Sequence, residues 1–152
     1  MSSDNERTAP PVEILLVEDN LGDARLTKEA LKEGKVYNNL HWVKDGVEAL
    51  DFLYKRGKYK DAPKPDIILL DLNLPKKDGR EVLQEIKSDS RLQRIPVVVL
   101  TTSKAEEDVY RSYDLGANCY IQKPVTFDSL VEVVRALGTF WFQIVTLPPD
   151  TI

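Results

Sequence analysis

The chain has 152 residues, with 42% hydrophobic and 30% charged side chains and a formal net charge of −4. That is enough for one domain with a proper core and too little for a second globular unit, and the acidic balance argues against nucleic acid or an anionic membrane as the main partner. The only cysteine, Cys119, has no partner for a disulfide or a thiolate metal site, and neither a membrane span nor an apolar signal core is visible, so a reducing cytoplasm is the expected location.

Residues 1–11 are polar and end in two prolines, which predicts a loose tail. Ile14-Leu15-Leu16-Val17 is an unbroken apolar run ending in Glu18-Asp19; such runs read as strands of a parallel sheet covered on both faces. Asn20 stands in N-cap position, with capping-box spacing to Asp23, for a helix carrying Leu21, Ala24, Leu26, Ala30 and Leu31, which Gly34 stops. A short strand is expected at Leu40 to Val43, then a helix led in by Asp45-Gly46 with Val47, Ala49, Leu50, Phe52 and Leu53. Residues 55–65 hold Lys55, Arg56, Lys58, Lys60 and Lys64 and read as a solvated connector. The third strand, Ile67 to Leu70, ends in Asp71 and is followed by a loop through Asn73 and Pro75 to Asp78-Gly79 and a helix with Val82, Leu83 and Ile86.

Pro96 precedes the fourth apolar run, Val97 to Leu100, which ends in Thr101-Thr102-Ser103. Ser103 and Glu106 have capping-box spacing for a helix ending at Gly116. Cys119 to Ile121 forms a fifth strand closed by Lys123-Pro124, and a last helix starts near Thr126-Phe127-Asp128. Asp45 and Asp128 read as helix caps, Asp78 as a turn residue, and His41 and Cys119 as structural.

Strand and helix alternate five times, which predicts an α/β fold: a doubly wound, five-stranded parallel sheet with helices on both faces. Ligands in such sheets sit beyond the carboxyl ends of the strands. Glu18-Asp19, Asp71, Thr101 and Lys123 each end a strand. Three carboxylates brought together cannot all stay ionised without a cation, and a hard divalent ion with oxygen ligands answers that need. Asp71 suits metal ligation, nucleophilic attack on a phosphoryl group, or both. Mg2+ held by Asp19, Asp71 and a backbone carbonyl near Asn73, with Glu18 acting mainly through a water, would offset the charge of a phosphodonor. The Lys123 ammonium would pair with phosphoryl oxygen and the Thr101 hydroxyl would add a hydrogen bond. The product would be an aspartyl phosphate.

With these residues in this order, the chain resembles the receiver domain of two-component response regulators over about residues 13–137. The resemblance implies the acidic pair at Glu18-Asp19, the phosphoacceptor at Asp71, the conformational hydroxyl at Thr101, the switch aromatic at Tyr120, and the lysine and its proline at Lys123-Pro124, joined by a cis peptide. It also implies a flavodoxin-like strand order of 2-1-3-4-5 and a switch: phosphoryl oxygen draws Thr101 inward, Tyr120 rotates, and the surface of the fourth helix, fifth strand and fifth helix changes. One position departs from the family, where the residue after the threonine is usually small. Here it is Thr102, expected to crowd the phosphoryl site and slow its chemistry.

The expected organisation is a tail at 1–11, a receiver domain at 12–138 and a C-terminal extension at 139–152, with no DNA-binding module attached. Phe127, Leu130, Val134, Leu137 and Trp141 form one apolar stripe on the last helix, and Val133, Phe140 and Ile144 form a second beside it. One domain's core should need only one of them, so the surplus predicts a symmetric homodimer through Tyr110, Tyr113, Phe140 and Trp141. The segment from Leu70 to Leu83, with Phe140-Trp141 and Val145-Thr146-Leu147-Pro148, is similar to the small response regulators paired with bacterial and cyanobacterial phytochromes. That likeness implies a light-regulated histidine kinase as phosphodonor. Other classes fit less well. A hydrolase passing through an aspartyl phosphate needs an acid two residues after the nucleophile, where this chain has Asn73. A flavin or nucleotide domain needs a phosphate-cradling glycine pattern, where Glu18-Asp19-Asn20-Leu21-Gly22 is acidic. A receiver that has lost phosphorylation would not be expected to keep the whole acid set.

Overall fold

The computed structural model describes residues 11–112 and 115–137. Strands β1 (Val12–Val17), β2 (Asn38–Val43), β3 (Ile67–Asp71), β4 (Val97–Thr101) and β5 (Cys119–Gln122) alternate with helices α1 (Leu21–Glu33), α2 (Gly46–Leu53), α3 (Gly79–Ser88), α4 (Lys104–Ser112) and α5 (Phe127–Leu137). The strands are parallel and ordered β2-β1-β3-β4-β5, as the resemblance implies.

The continuous apolar runs follow from two buried faces. Leu15, Val17, Ile68, Leu70, Val97 and Val99 pack on one side of the sheet with Leu50 and Phe52 of α2 and Val82, Leu83 and Ile86 of α3. Their chain neighbours Ile14, Leu16, Ile67, Leu69, Val98 and Leu100 pack on the other side with Ala24 and Leu31 of α1 and Leu130 and Val133 of α5. Successive strand residues point to opposite faces, so a strand covered twice has no polar position to spare. Each such side chain contributes roughly 1.5–3 kcal/mol on burial.

Local chemistry at the element ends differs in places from the sequence reading. The left-handed residue after α1 is Lys35 (φ 57°), while Gly34 keeps an ordinary helical φ of −79°. Asp45 caps α2 by accepting from the Glu48 amide, but Asp78 is more than a turn residue: with Glu81 it forms a full capping box at the start of α3. Asp128 lies inside the first turn of α5, and it is the Thr126 hydroxyl that accepts from the Ser129 amide. The two stripes of the last helix are also not divided between core and interface. Leu130 from one and Val133 from the other are both buried, while Phe127 is 45% exposed. Helices covering a sheet present an apolar face wider than one row.

Residues 113, 140 and 141, expected at a dimer contact, lie outside the described residues, as does the side chain of Tyr110. Arg56 and Lys58 of the basic connector pair with Asp51 and Glu48 of α2, and His41 pairs with Glu13 on the neighbouring strand. No described helix is long and apolar enough to cross a membrane.

Candidate functional site

The sheet register brings the strand-ending polar residues to one edge. Val17 pairs with Leu70 and Asp71 with Leu100, so Glu18 follows β1 where Asp71 ends β3. Thr101 pairs with Gln122, and Lys123 is the next residue. The Lys123–Pro124 peptide is cis.

Lys123 sits at the centre of this edge. Its ammonium donates to Asp71 Oδ2 at 2.9 Å and to Glu18 Oε2 at 3.2 Å, and lies 3.1 Å from Asp23 Oδ2. Glu18 is fully buried and Asp71 is 1% exposed. Burial is therefore the largest influence on Glu18, followed by repulsion from Asp71; Lys123 only partly offsets them, and the carboxyl is pushed up to about 7. Burial alone would lower Lys123, but hydrogen bonds to Asp71 and Asp23 outweigh it and hold the ammonium above its ordinary value. One cation is thus shared among more carboxylates than it can neutralise.

The acid set fits a hard divalent cation. One carboxylate oxygen from each of Glu18, Asp19 and Asp71 lies within 4.8 Å of the others, and an all-oxygen donor set of this charge suits Mg2+ or Mn2+. Asp71 keeps its second oxygen, Oδ1, bonded to the Asn73 amide at 2.9 Å. The Asn73 side chain is turned away, donating to Glu106 Oε2 at 2.8 Å, so it offers no proton donor to a leaving group.

Thr101 is fully buried at the end of β4, and its hydroxyl donates to the Ile121 carbonyl at 3.3 Å. Thr102 is exposed, with its hydroxyl donating to Glu106 Oε1 at 3.2 Å, so in this structure its branched side chain is engaged with α4. Tyr120 is buried, with the Arg111 guanidinium 4.5 Å over its ring. Arg111 also pairs with Glu107 at 2.6 Å, which ties the aromatic of β5 to α4.

Three participants escape a reading by strand ends. Asp23 joins the acid set from the first turn of α1, and Trp42 on β2 donates its indole N–H to the Glu18 carbonyl at 2.6 Å. Glu106 reaches back from α4 to both Thr102 and Asn73. The only sequence signal for Asp23 and Glu106 was capping-box spacing.

Comparison with known proteins gives a consistent pattern. The model of the response regulator receiver domain matches residues 14–135. Response regulator Rcp1 of Synechocystis sp. is 50% identical over 144 residues, covering 95% of this chain and 98% of that protein. A crystal structure of the Mn2+-bound form of Rcp1 superposes with a TM-score of 0.71 at 51% identity, covering 91% of this chain and 99% of that one. The phosphorylated cyanobacterial phytochrome response regulator RcpA gives a TM-score of 0.71 at 53% identity, covering 87% and 94%. The bacteriophytochrome response regulator RtBRR gives 0.81 at 47% identity, covering 86% and 80%.

Proposed function

The chain belongs to the response regulator receiver family, and from that membership we propose that it is a phosphorylation-controlled switch. Asp71 accepts a phosphoryl group from a partner histidine kinase in a Mg2+-dependent reaction, and the surface of α4, β5 and α5 changes in response. The observation that carries this reading is the convergence on Asp71: a buried carboxylate 2.9 Å from the Lys123 ammonium, beside Glu18 and Asp19.

Glu18, Asp19 and Asp71, with a backbone carbonyl near Asn73, are the groups that would hold the metal. When bound, a divalent cation supplies charge neutralisation for a phosphodonor that the acids would otherwise repel. A carboxylate oxygen of Asp71 attacks phosphorus while the bond from phosphorus to the donor atom breaks, and the donor atom leaves with that electron pair. Lys123, already held close, pairs with phosphoryl oxygen, and the Thr101 hydroxyl can turn from Ile121 to do the same. Attack of water on phosphorus reverses the state, returning Asp71 as a carboxylate with inorganic phosphate as product. Tyr120 and Arg111 connect this edge to α4, so movement of Thr101 has a packed route to the outer surface.

Incubation with Mg2+ and acetyl phosphate, read by intact mass, is expected to give one phosphoryl adduct in the parent and none in Asp71→Asn. An adduct of equal yield in Asp71→Asn would place the chemistry elsewhere. Multiple turnover of a generic phosphomonoester would favour a hydrolase, against which the Asn73 side chain already argues.

The relatives support a finer reading. Two of them carry phytochrome or bacteriophytochrome in their names, so a phytochrome-type histidine kinase is the donor we assign, and the cytoplasm, where such a kinase domain works, is the location. Within the chain, 12–138 is the receiver unit and 139–152 an extension. The apolar surplus of that extension, together with exposed Val109 and Phe127 on α4 and α5, supports a homodimer through Tyr110, Tyr113, Phe140 and Trp141. Sedimentation of Phe140→Asp is expected to give a monomer where the parent is a dimer; a monomeric parent removes the dimer from this reading.

A further inference from the structure

Glu106 stands on α4, in a sequence position that its local role explains well enough to hide a second one. Ser103 caps the helix by accepting from the Glu106 amide at 3.1 Å. A capping box would send the Glu106 carboxylate back to the cap residue's own amide. Instead it reaches one residue further. Oε1 accepts from the Thr102 amide at 2.7 Å and from the Thr102 hydroxyl at 3.2 Å, while Oε2 accepts from the Asn73 side-chain amide at 2.8 Å. One carboxylate therefore joins the loop after β4 to the loop after β3.

Those two loops are the walls of the Asp71 site. Asp71 pairs with Leu100 in the register, so Leu72-Asn73 and Thr101-Thr102 leave adjacent strands side by side. The Asn73 backbone amide is bonded to Asp71 itself at 2.9 Å. The shared carboxylate thus holds, through side chain and backbone of Asn73, the residue that holds Asp71. It also occupies the Thr102 N–H, which neighbours the Thr101 hydroxyl. A phosphoryl group on Asp71 adds about two negative charges and several acceptor oxygens, and meets an anion already seated on a donor it could use.

We infer that Glu106 is a positioning residue that acts as an electrostatic brake on phosphoryl entry: its carboxylate clasps the two loops over Asp71 and keeps the Thr102 amide until a phosphoryl group displaces it. The inference rests on the reading of Asp71 as phosphoacceptor and adds a residue that sets the rate. Release of the clasp also frees the first turn of α4 from the β3 loop, which gives the outer surface a link to phosphorylation separate from the one through Tyr120.

Glutamine separates charge from shape. In Glu106→Gln the side-chain carbonyl still accepts from Thr102, and the amide can meet Asn73 once that residue's own amide turns over. The clasp keeps its form and loses its charge. Glu106→Ala loses both. With acetyl phosphate and Mg2+, adduct formation followed by intact mass is expected to be roughly three- to tenfold faster in Glu106→Gln than in the parent, and at least as fast in Glu106→Ala. The 15N-resolved amide signal of Thr102 reports the bond directly. It is expected to move in the unphosphorylated Glu106→Gln protein, where a carboxylate acceptor has become a neutral one, while thermal melting stays near that of the parent. A Glu106→Gln rate equal to or below the parent's overturns the brake, and so does an effect seen in Glu106→Ala alone, which would make Glu106 a packing residue. A parent that forms no adduct overturns the reading of Asp71, and the brake falls with it.

Discussion

In metal-free buffer near neutral pH, Lys123→Met is expected to be about 3 kcal/mol less stable than the parent, and to regain most of that loss in millimolar Mg2+ without regaining phosphorylation. The size follows from what remains. Methionine matches the length of the stem but leaves Glu18 and Asp71, both almost wholly buried, facing each other with no ammonium between them. Breaking a buried ion pair by removing one partner typically costs about 3–5 kcal/mol, and partial protonation of Glu18 reduces it here. A divalent cation on the acids supplies the missing positive charge to the fold. It does not supply the ammonium that pairs with phosphoryl oxygen.

The pH dependence has a definite sign. Glu18 is raised from 4.5 to about 7, by burial first and Asp71 second, so between those values the folded chain holds a proton that the unfolded chain has released. Metal-free stability of the parent therefore falls as pH rises from about 4.5 to about 7. Loss of Lys123 removes an influence that lowers Glu18 and extends the falling range upward. Urea melts near pH 5 and pH 8, with chelator and with Mg2+, test this. The difference between the two proteins should be smaller at the acid end, where Glu18 is protonated and only the buried pair with Asp71 is lost, and largest at the basic end. Equal stability of parent and Lys123→Met in chelator at pH 8 would mean that the ammonium is not the charge that holds this edge together.

The fold was legible because its strands are buried twice. A run such as Ile67 to Leu70 has no polar alternation, and its neighbours on both faces are helices whose apolar spacing is equally plain. The polar residue that ends each run could be named for the same reason: it is the first position allowed to be polar. What stayed hidden are side chains that reach the edge from outside the strands. Asp23 points to Lys123 from α1, and Glu106 bridges two loops from α4; in each, a spacing of three from a cap residue offered a sufficient local account. The caps themselves, Thr126 rather than Asp128 and the full box at Asp78, depend on how each hydroxyl or carboxylate is turned toward the amides. The dihedral that decides this leaves no trace in residue type. The two apolar stripes of the last helix could not be assigned separately from spacing, since a helix lying on a sheet buries Leu130 and Val133 together.

Gly79→Ala is expected to destabilise the chain by about 2–3 kcal/mol and to slow phosphorylation of Asp71, although alanine is the better helix former by about 1 kcal/mol. Gly79 opens α3 and donates its amide to the Leu72 carbonyl at 3.1 Å. A Cβ at this position would lie 2.5 Å from Leu72 Cα and 2.6 Å from the Asp71 carbonyl oxygen. These neighbours are backbone and cannot swing aside, so either α3 retreats or the segment carrying the acceptor shifts. Overpacking of this kind costs about 1–3 kcal/mol, and contact with backbone places it at the upper end, above the gain in propensity. A displacement of well under 1 Å at Asp71 also moves it against Lys123 and the acids, and misplacement on the scale of 1 Å can cost roughly 100-fold in rate. Gly22→Ala in α1 is the matched control: its added Cβ would meet no backbone, only Asn20 Oδ1 at 3.2 Å, the oxygen that caps α1 by accepting from the Asp23 amide at 2.8 Å, so a small shift of one side chain relieves it and the loss is expected to be smaller than at Gly79. Thermal melts and adduct rates of the two variants, measured side by side, separate the effects. If Gly79→Ala is as stable as Gly22→Ala and phosphorylates at the parent rate, the close approach of α3 to the Asp71 backbone is not what fixes the acceptor in place.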